Sequence, residues 1–112
     1  MAKLERTIYA PWDELTEAIS SGILKGSISS SDEGCSVFAE GGARCSVQVF
    51  ERYSFLGNNR VSMTVTLFQA EGGPIHLSAI TAGGSQAIFI KINTFGEEAF
   101  LNKLREVLDE FS

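Results

Sequence analysis

The feature that most restricts the fold of this chain is a change in hydrophobic periodicity along its 112 residues. Between residues 27 and 93 apolar and polar side chains alternate with a period of two, which is typical of half-buried strands. Short breaks rich in glycine or asparagine divide this stretch, and connections that short join antiparallel neighbours. The breaks lie at residues 32–34, 40–42, 57–59, 72–74 and 83–84. The pattern therefore predicts an antiparallel sheet with tight turns.

An earlier strand is predicted at residues 4–9, where the sequence alternates weakly and is rich in β-forming residues. With it, the pattern predicts a sheet of about six or seven strands. The best defined strands after the first cover residues 43–55, 60–69, 75–82 and 85–92. The weakest is the serine-rich one around Ile28.

Helical periodicity flanks the strand-forming stretch. Pro11 opens the first helix at a position where the missing N–H costs nothing, and Gly22 or Gly26 ends it. Its apolar side chains are Trp12, Leu15, Ala18, Ile19 and Ile23. Residues 94–97 (Thr-Phe-Gly-Glu) have the form of a capping box and predict the start of a second, C-terminal helix. Its apolar face comprises Phe100, Leu101, Leu104, Val107, Leu108 and Phe111.

These elements predict one α+β domain, residues 1–112, in two layers: a curved antiparallel sheet packed on a long C-terminal helix. The parity of the strands assigns one sheet face to the core. That face is predicted to comprise Val47, Val49, Val61, Met63, Val65, Leu67, Ile75, Leu77, Ala79, Ile88, Ile90 and Ile92. The opposite face mixes polar side chains with Phe50, Phe68, Ile80 and Phe89.

Charge restricts the classes of partner. The formal net charge is -5, and the nine Lys and Arg residues are scattered. Phosphate backbones and anionic lipid headgroups are held by basic clusters, so we expect neither nucleic acid nor membrane as a partner. The N-terminal residues contain no apolar signal-peptide core, and no apolar run reaches bilayer length. We therefore expect a cytoplasmic protein.

Few residues are candidates for chemistry. Cys35 and Cys45 flank the turn at 40–42 and could share one face of a hairpin, but two reduced, half-buried cysteines are the more common arrangement in a cytoplasmic chain. His76 is the only histidine, and no nucleophile motif accompanies it. Neither of the common phosphate-binding glycine motifs is present. We expect no metal and no cofactor.

The order of strand, helix, antiparallel strands and long helix resembles the helix-grip domains of the pollen-allergen and lipid-transfer superfamily. Residues 6–15 (Arg-Thr-Ile-Tyr-Ala-Pro-Trp-Asp-Glu-Leu) resemble the opening strand and Pro-initiated helix of those domains. The resemblance implies an apolar cavity between the sheet and the C-terminal helix. The layout is also similar to that of the TATA-binding protein, whose nucleic-acid function the acidic charge disfavours. The whole chain resembles small bacterial families of unknown function, and such a resemblance implies no activity.

The main hypothesis is a non-enzymatic interaction domain that forms a homodimer through the outer sheet face. Its predicted interface comprises Phe50, Phe68, Ile80 and Phe89, with a polar rim of Ser46, Thr64, Thr66 and Ser78. Edge-to-edge pairing of strands is the competing geometry.

Two alternatives remain open. One is a small apolar ligand, a lipid or a metabolite, held in a helix-grip cavity. Its predicted lining comprises Val49, Met63, Val65, Leu77, Ile90, Leu104 and Leu108. The other is an enzyme of unknown class that uses His76, which we regard as the weaker alternative because no catalytic set accompanies this residue.

Overall fold

The structure, a computed structural model, describes residues 1–25, 30–54, 59–83 and 90–111. Five strands and two helices lie in these ranges. In chain order they are β1 (Ala2–Ile8), α1 (Trp12–Leu24), β2 (Ser30–Glu40), β3 (Ala43–Ser54), β4 (Asn59–Gln69), β5 (Ile75–Gly83) and α2 (Ile90–Asp109). The predicted class, α+β with an antiparallel sheet and two helices, is confirmed.

The described strands form one sheet of five strands in the order β1-β5-β4-β3-β2, and all neighbours are antiparallel. Strands β2 to β5 follow one another as hairpins, and β1 then pairs with β5. The first two strands of the chain are therefore the two edges of the sheet. The count of six or seven strands is too high for the described residues, and the serine-rich strand around Ile28 lies outside them.

The predicted strand at 85–92 is wrong where it can be compared, because residues 90–92 belong to α2. Its residues 85–89 lie outside the described ranges. The predicted helix start at residues 94–97 is wrong as well, since these residues lie inside α2. Glu97 is instead buried and forms an ion pair with the α-amino group of Met1.

Helix α1 follows its prediction closely. Pro11 precedes it with an extended backbone, and the Leu15 N–H donates to the carbonyl of Pro11 at 3.0 Å. The helix runs through Gly22, where a Cβ would overlap the side chain of Val107 on α2. Glycine at this position therefore permits the close approach of the two helices. The buried residues of α1 are Trp12, Leu15, Ile19 and Ile23.

Both helices pack on the same face of the sheet, and together they enclose one hydrophobic core. The predicted parity is confirmed on two strands: Val61, Met63, Val65 and Leu67 of β4 and Ile75, Leu77 and Ala79 of β5 are all buried. Side chains of this size contribute roughly 1.5–3 kcal/mol each when fully buried. Central strands β4 and β5 thus supply most of the sheet side of the core.

The predicted parity of β3 is wrong. Phe50 pairs with Met63 and is fully buried, whereas Val47 and Val49 pair with Thr66 and Thr64 on the outer face. Polar residues of β3 share the helix-facing side with Phe50 because the helices offer them partners. Arg44 lies over the ring of Trp12 at 4.5 Å, Arg52 lies 5.9 Å from the centre of the Phe100 ring, and the Gln48 amide nitrogen donates to the Ser20 hydroxyl at 3.1 Å.

Candidate functional site

The outer face of the sheet, which we call the open face, is the side turned away from α1 and α2. Neither helix packs on it, and both lie against the buried side chains of the opposite face. The antiparallel register arranges its residues in rows that cross the strands. One row, from β2 to β1, contains Phe38, Cys45, Phe68, His76 and Thr7.

Two shallow depressions flank Phe68 along this row. One, of about 580 Å³, lies toward the β2–β3 hairpin and is lined in part by Phe38 and Cys45. The other, of about 470 Å³, lies toward β1 and is lined in part by Thr66 and His76. Phe68 is 44% exposed and Phe38 is 65% exposed. The row therefore carries exposed aromatic surface between two hollows.

The next two rows continue the apolar surface. They contain Val47 and Val49 of β3, half-buried by their neighbours, and Ile80 of β5, which is 39% exposed. Thr64 and Thr66 of β4 separate the valines from β5. We call the five apolar side chains of these rows the open-face patch: Phe38, Val47, Val49, Phe68 and Ile80.

The predicted interface is placed in part on this face. Phe68 and Ile80 lie there, as do Thr64, Thr66 and Ser78 of the predicted rim. The prediction is wrong for Phe50, whose side chain is fully buried in the core, and for Ser46 of the rim, which is buried on the helix-facing side. Phe89 lies outside the described residues.

Sequence reasoning missed Phe38, one of the most exposed large apolar residues of the described chain. A signal for it was present: the tight turn at Gly41 and Gly42 makes residues 38 and 45 partners across the hairpin. Both glycines have positive φ, 59° and 84°, which only glycine adopts readily and which sets this register.

The predicted lining of an apolar ligand is divided between the two faces. Met63, Val65, Leu77, Leu104 and Leu108 are buried together in the core. The prediction is wrong for Val49, which lies on the open face and not in the core. Residue 90 begins α2 and is not in a strand. Packing of the hydrophobic core accounts for the five buried members without a ligand.

The two cysteines lie on opposite faces of the sheet. Cys35 pairs with Gln48 on the helix-facing side, whereas Cys45 pairs with Phe38 on the open face, and both are free thiols. The arrangement on one face of a hairpin, which the sequence left open, is therefore wrong. Nδ1 of His76 lies 3.4 Å from the hydroxyl of Thr7 on the open face. In the described residues no three metal-ligating side chains come together.

Charged groups lie around the patch and not within it. Lys3 and Glu5 of β1 form an exposed ion pair at 3.8 Å. At the far end of the sheet the Arg60 guanidinium meets Glu51 at 3.0 Å. A hydrogen bond with Tyr53 and the charge of Glu51 raise the pKa of Arg60 above its ordinary value. Within the described ranges, neither helix is long and apolar enough to cross a membrane.

Comparison with known proteins gives one match. The model of a family described as "Family of unknown function (DUF6054)" matches the chain over residues 1–112. No curated protein and no solved structure matches it.

Proposed function

Because the chain belongs to this family of unknown function, DUF6054, and the family description assigns no activity, we propose a function from the structure alone: a homotypic interaction domain. Two copies pack their open faces together around a two-fold axis. The observation that carries the proposal is the open-face patch itself, whose apolar side chains lie on a sheet face that neither helix covers.

The available area is sufficient for such a dimer. A fourth row of the open face, with Ser31, Glu51, Ser62 and Ala82, follows the three already described. Five strands at a spacing of about 4.8 Å and four rows at about 6.8 Å give a face of roughly 650 Å² per copy. Two copies would then bury roughly 1,300 Å², within the range of specific protein–protein interfaces of about 1,200–2,000 Å². The apolar centre with threonine and serine around it is the anatomy expected of an interface.

The charges of β1 favour one orientation. A two-fold axis that runs across the strands, between the row of Glu5 and the row of Lys3, brings Lys3 of one copy opposite Glu5 of the other. The same axis brings Val47 of one copy onto Val49 of the other, since these residues occupy the same two rows. Sheets packed in this way adopt a relative twist of about 30°. The valine contact and the charged contact are then both self-complementary. The row of Phe38 and Phe68 lies opposite the row of Ser31 and Ser62 of the other copy.

The alternatives have less support. The shared layout with helix-grip domains and the TATA-binding protein is a likeness of element order, and fold alone implies no activity. His76 contacts a threonine hydroxyl on an open surface, and no further observation favours catalysis. The apolar-ligand hypothesis remains a prediction, and none of the contacts between the described residues favours it.

Light scattering at tens of micromolar protein tests the proposal. We expect wild type to be a dimer and the double variant Phe68→Glu, Ile80→Glu to be a folded monomer, because each carboxylate would be desolvated in the interface. Tyr9→Glu is the matched control: Tyr9 is 81% exposed and lies outside the patch. Circular dichroism checks that each variant is folded. A monomeric wild type, or a dimer that the double variant leaves intact, refutes the proposal.

Charge exchange tests the orientation separately. Lys3→Glu should weaken the dimer, because it brings like charges together across the two-fold axis, and the exchange Lys3→Glu with Glu5→Lys should restore it. Both effects should shrink as salt is raised above about 0.15 M, where exposed charges are screened. If the exchange does not restore the dimer, the proposed axis is wrong.

A further inference from the structure

We infer that the outer edge of β2, between Gly34 and Glu40, is an acceptor for an extended segment of another protein, with an uncharged middle and a basic residue at each end. The segment would add to the sheet as a further strand. This inference goes beyond the face-to-face dimer and does not depend on it, since the main-chain groups that it uses lie at the edge of the sheet. Phe38 alone of the open-face patch also belongs to this edge.

The two edges of the sheet differ in chemistry. On β1 the edge is charged at Lys3, Glu5 and Arg6, and Arg6 also pairs with Asp109 of α2 at 3.1 Å. On β2 the six residues from Gly34 to Ala39 carry no charge, and all of them are exposed. Charged residues on an edge strand oppose the addition of another strand. Of the two edges, only β2 lacks this protection along its middle.

Along one side of β2 the main-chain groups pair with β3, and the groups along the other side form the outer edge of the sheet. Within the described part of the chain, β3 is the single strand neighbour of β2. Strand addition obtains affinity from main-chain hydrogen bonds and specificity from alternate side chains on the two faces. Val37 and Phe38, 63% and 65% exposed, lie on opposite faces and offer apolar contact to both sets of side chains.

Local geometry determines how long the added strand can be. The pairing of β2 with β3 shifts register between Asp32 and Gly34, and Oδ1 of Asp32 accepts the Gly34 N–H at 3.1 Å. A bulge of this kind bends the strand and ends regular pairing. The turn after Glu40 ends it on the other side. A regular acceptor of about seven residues, roughly 24 Å long, remains between the two.

The charged residues of β2 at both ends of this acceptor are negative, although Arg44 of β3 pairs with Ala39 and Arg60 of β4 lies near Glu33. Asp32 and Glu33 stand at one end and Glu40 at the other, and the Glu71 side chain lies against Gly42 beyond the turn. A second copy of β2 paired in antiparallel fashion about Val37 would bring Glu40 beside Gly34 of that copy, next to its Glu33. Like charges opposed in this way are destabilising. A segment with basic ends is therefore the better complement.

A peptide titration followed by amide NMR of the full chain tests the inference. The probe is a synthetic seven-residue peptide of alternating valine and threonine with a lysine at each end, and the matched control has a glutamate at each end. We expect shifts confined to residues 34–40 and their β3 partners, with β1 amides unchanged. At low salt we expect at least about tenfold weaker binding of the glutamate-ended peptide, a difference of roughly 1.4 kcal/mol.

A charge-reversal variant completes the design. Glu33 and Glu40 are both exposed, so Glu33→Lys with Glu40→Lys should fold normally and should prefer the glutamate-ended peptide. The monomeric face variant, Phe68→Glu with Ile80→Glu, should keep wild-type peptide binding, which separates this inference from the proposed dimer.

Adjacent proline variants, Ser36→Pro and Val37→Pro, test the main-chain contribution. Successive residues of a strand direct their N–H groups to opposite sides, so one variant should abolish peptide binding with the β3 pairing intact and the other should disturb that pairing. The absence of shifts in β2 at millimolar peptide overturns the inference. So does an unchanged preference in the charge-reversal variant. Shifts of β2 amides with protein concentration alone would assign the edge to a second copy and overturn the proposed partner.

Discussion

Replacement of Phe50 by alanine is the perturbation that most directly tests the observed placement of β3. The side chain is fully buried against Met63. Its removal withdraws on the order of 100 Å² of apolar surface, about 2.5 kcal/mol at about 25 cal/mol per Å². A residual cavity on the order of 80 Å³ adds about 2 kcal/mol, for a total of about 4–5 kcal/mol, at the upper end of measured Phe→Ala losses.

Urea unfolding followed by circular dichroism measures this loss. With a slope of about 2 kcal/mol per molar urea, the midpoint should fall by about 2 M. Small domains have only about 5–15 kcal/mol of stability, so Phe50→Leu, with an expected loss of about 1–1.5 kcal/mol, supplies a second variant that stays folded.

Val49→Ala is the matched control for Phe50→Ala, because it changes the neighbouring residue on the half-buried open face. In dilute protein we expect Val49→Ala to lower the free energy of unfolding by about 1 kcal/mol or less. If Val49→Ala destabilises the protein more than Phe50→Ala does, β3 has the parity expected from sequence and the reasoning from register is refuted.

Two further predictions concern the helix contact and the thiols. Gly22→Ala should lower the free energy of unfolding by about 1–3 kcal/mol, because its Cβ overlaps Val107 and this outweighs the better helix propensity of alanine. Adding Val107→Ala should restore much of the lost stability, and an unchanged urea midpoint in Gly22→Ala would contradict the close contact. Mild oxidation should form no disulfide within the chain, because Cys35 and Cys45 face opposite sides of the sheet, and exposed Cys35 should react faster with a thiol reagent than half-buried Cys45. Intact mass and labelling rate check both, and an internal disulfide or a faster Cys45 would contradict the placement.

The elements predicted best were those whose local signals agree with one another. Pro11 with its apolar spacing was sufficient for α1. The period-two alternation of β4 and β5 identified their buried faces, because most apolar residues there occupy one parity and only Phe68 and Ile80 are large apolar residues at the other. On β3 the valines occupy one parity and Phe50 the other, so alternation alone could not decide between them. The open-face patch was found only in part for the same reason.

The C-terminal region shows a different kind of error. A capping box at residues 94–97 is a local hydrogen-bonding pattern, but α2 begins earlier and Glu97 pairs with the α-amino group of Met1. That pair joins groups 96 positions apart in the chain, and no window of sequence contains both. Residues 90–92 continue the apolar–polar alternation that predicted a strand at 85–92, but they belong to α2.

By itself the sequence determined the class of the fold, the first helix, the turns at residues 40–42 and 72–74 and the buried faces of the central strands, because periodicity and turn chemistry are local properties of the chain. The break predicted at residues 32–34 is wrong, since β2 runs through it with a bulge. Only the tertiary structure decided the parity of β3, the start of α2 and the unequal character of the two sheet edges. These depend on which strand pairs with which and on which polar side chains find partners on a helix, as Arg44 does on Trp12. Such contacts join residues far apart in the chain, so their free energy is absent from any short segment.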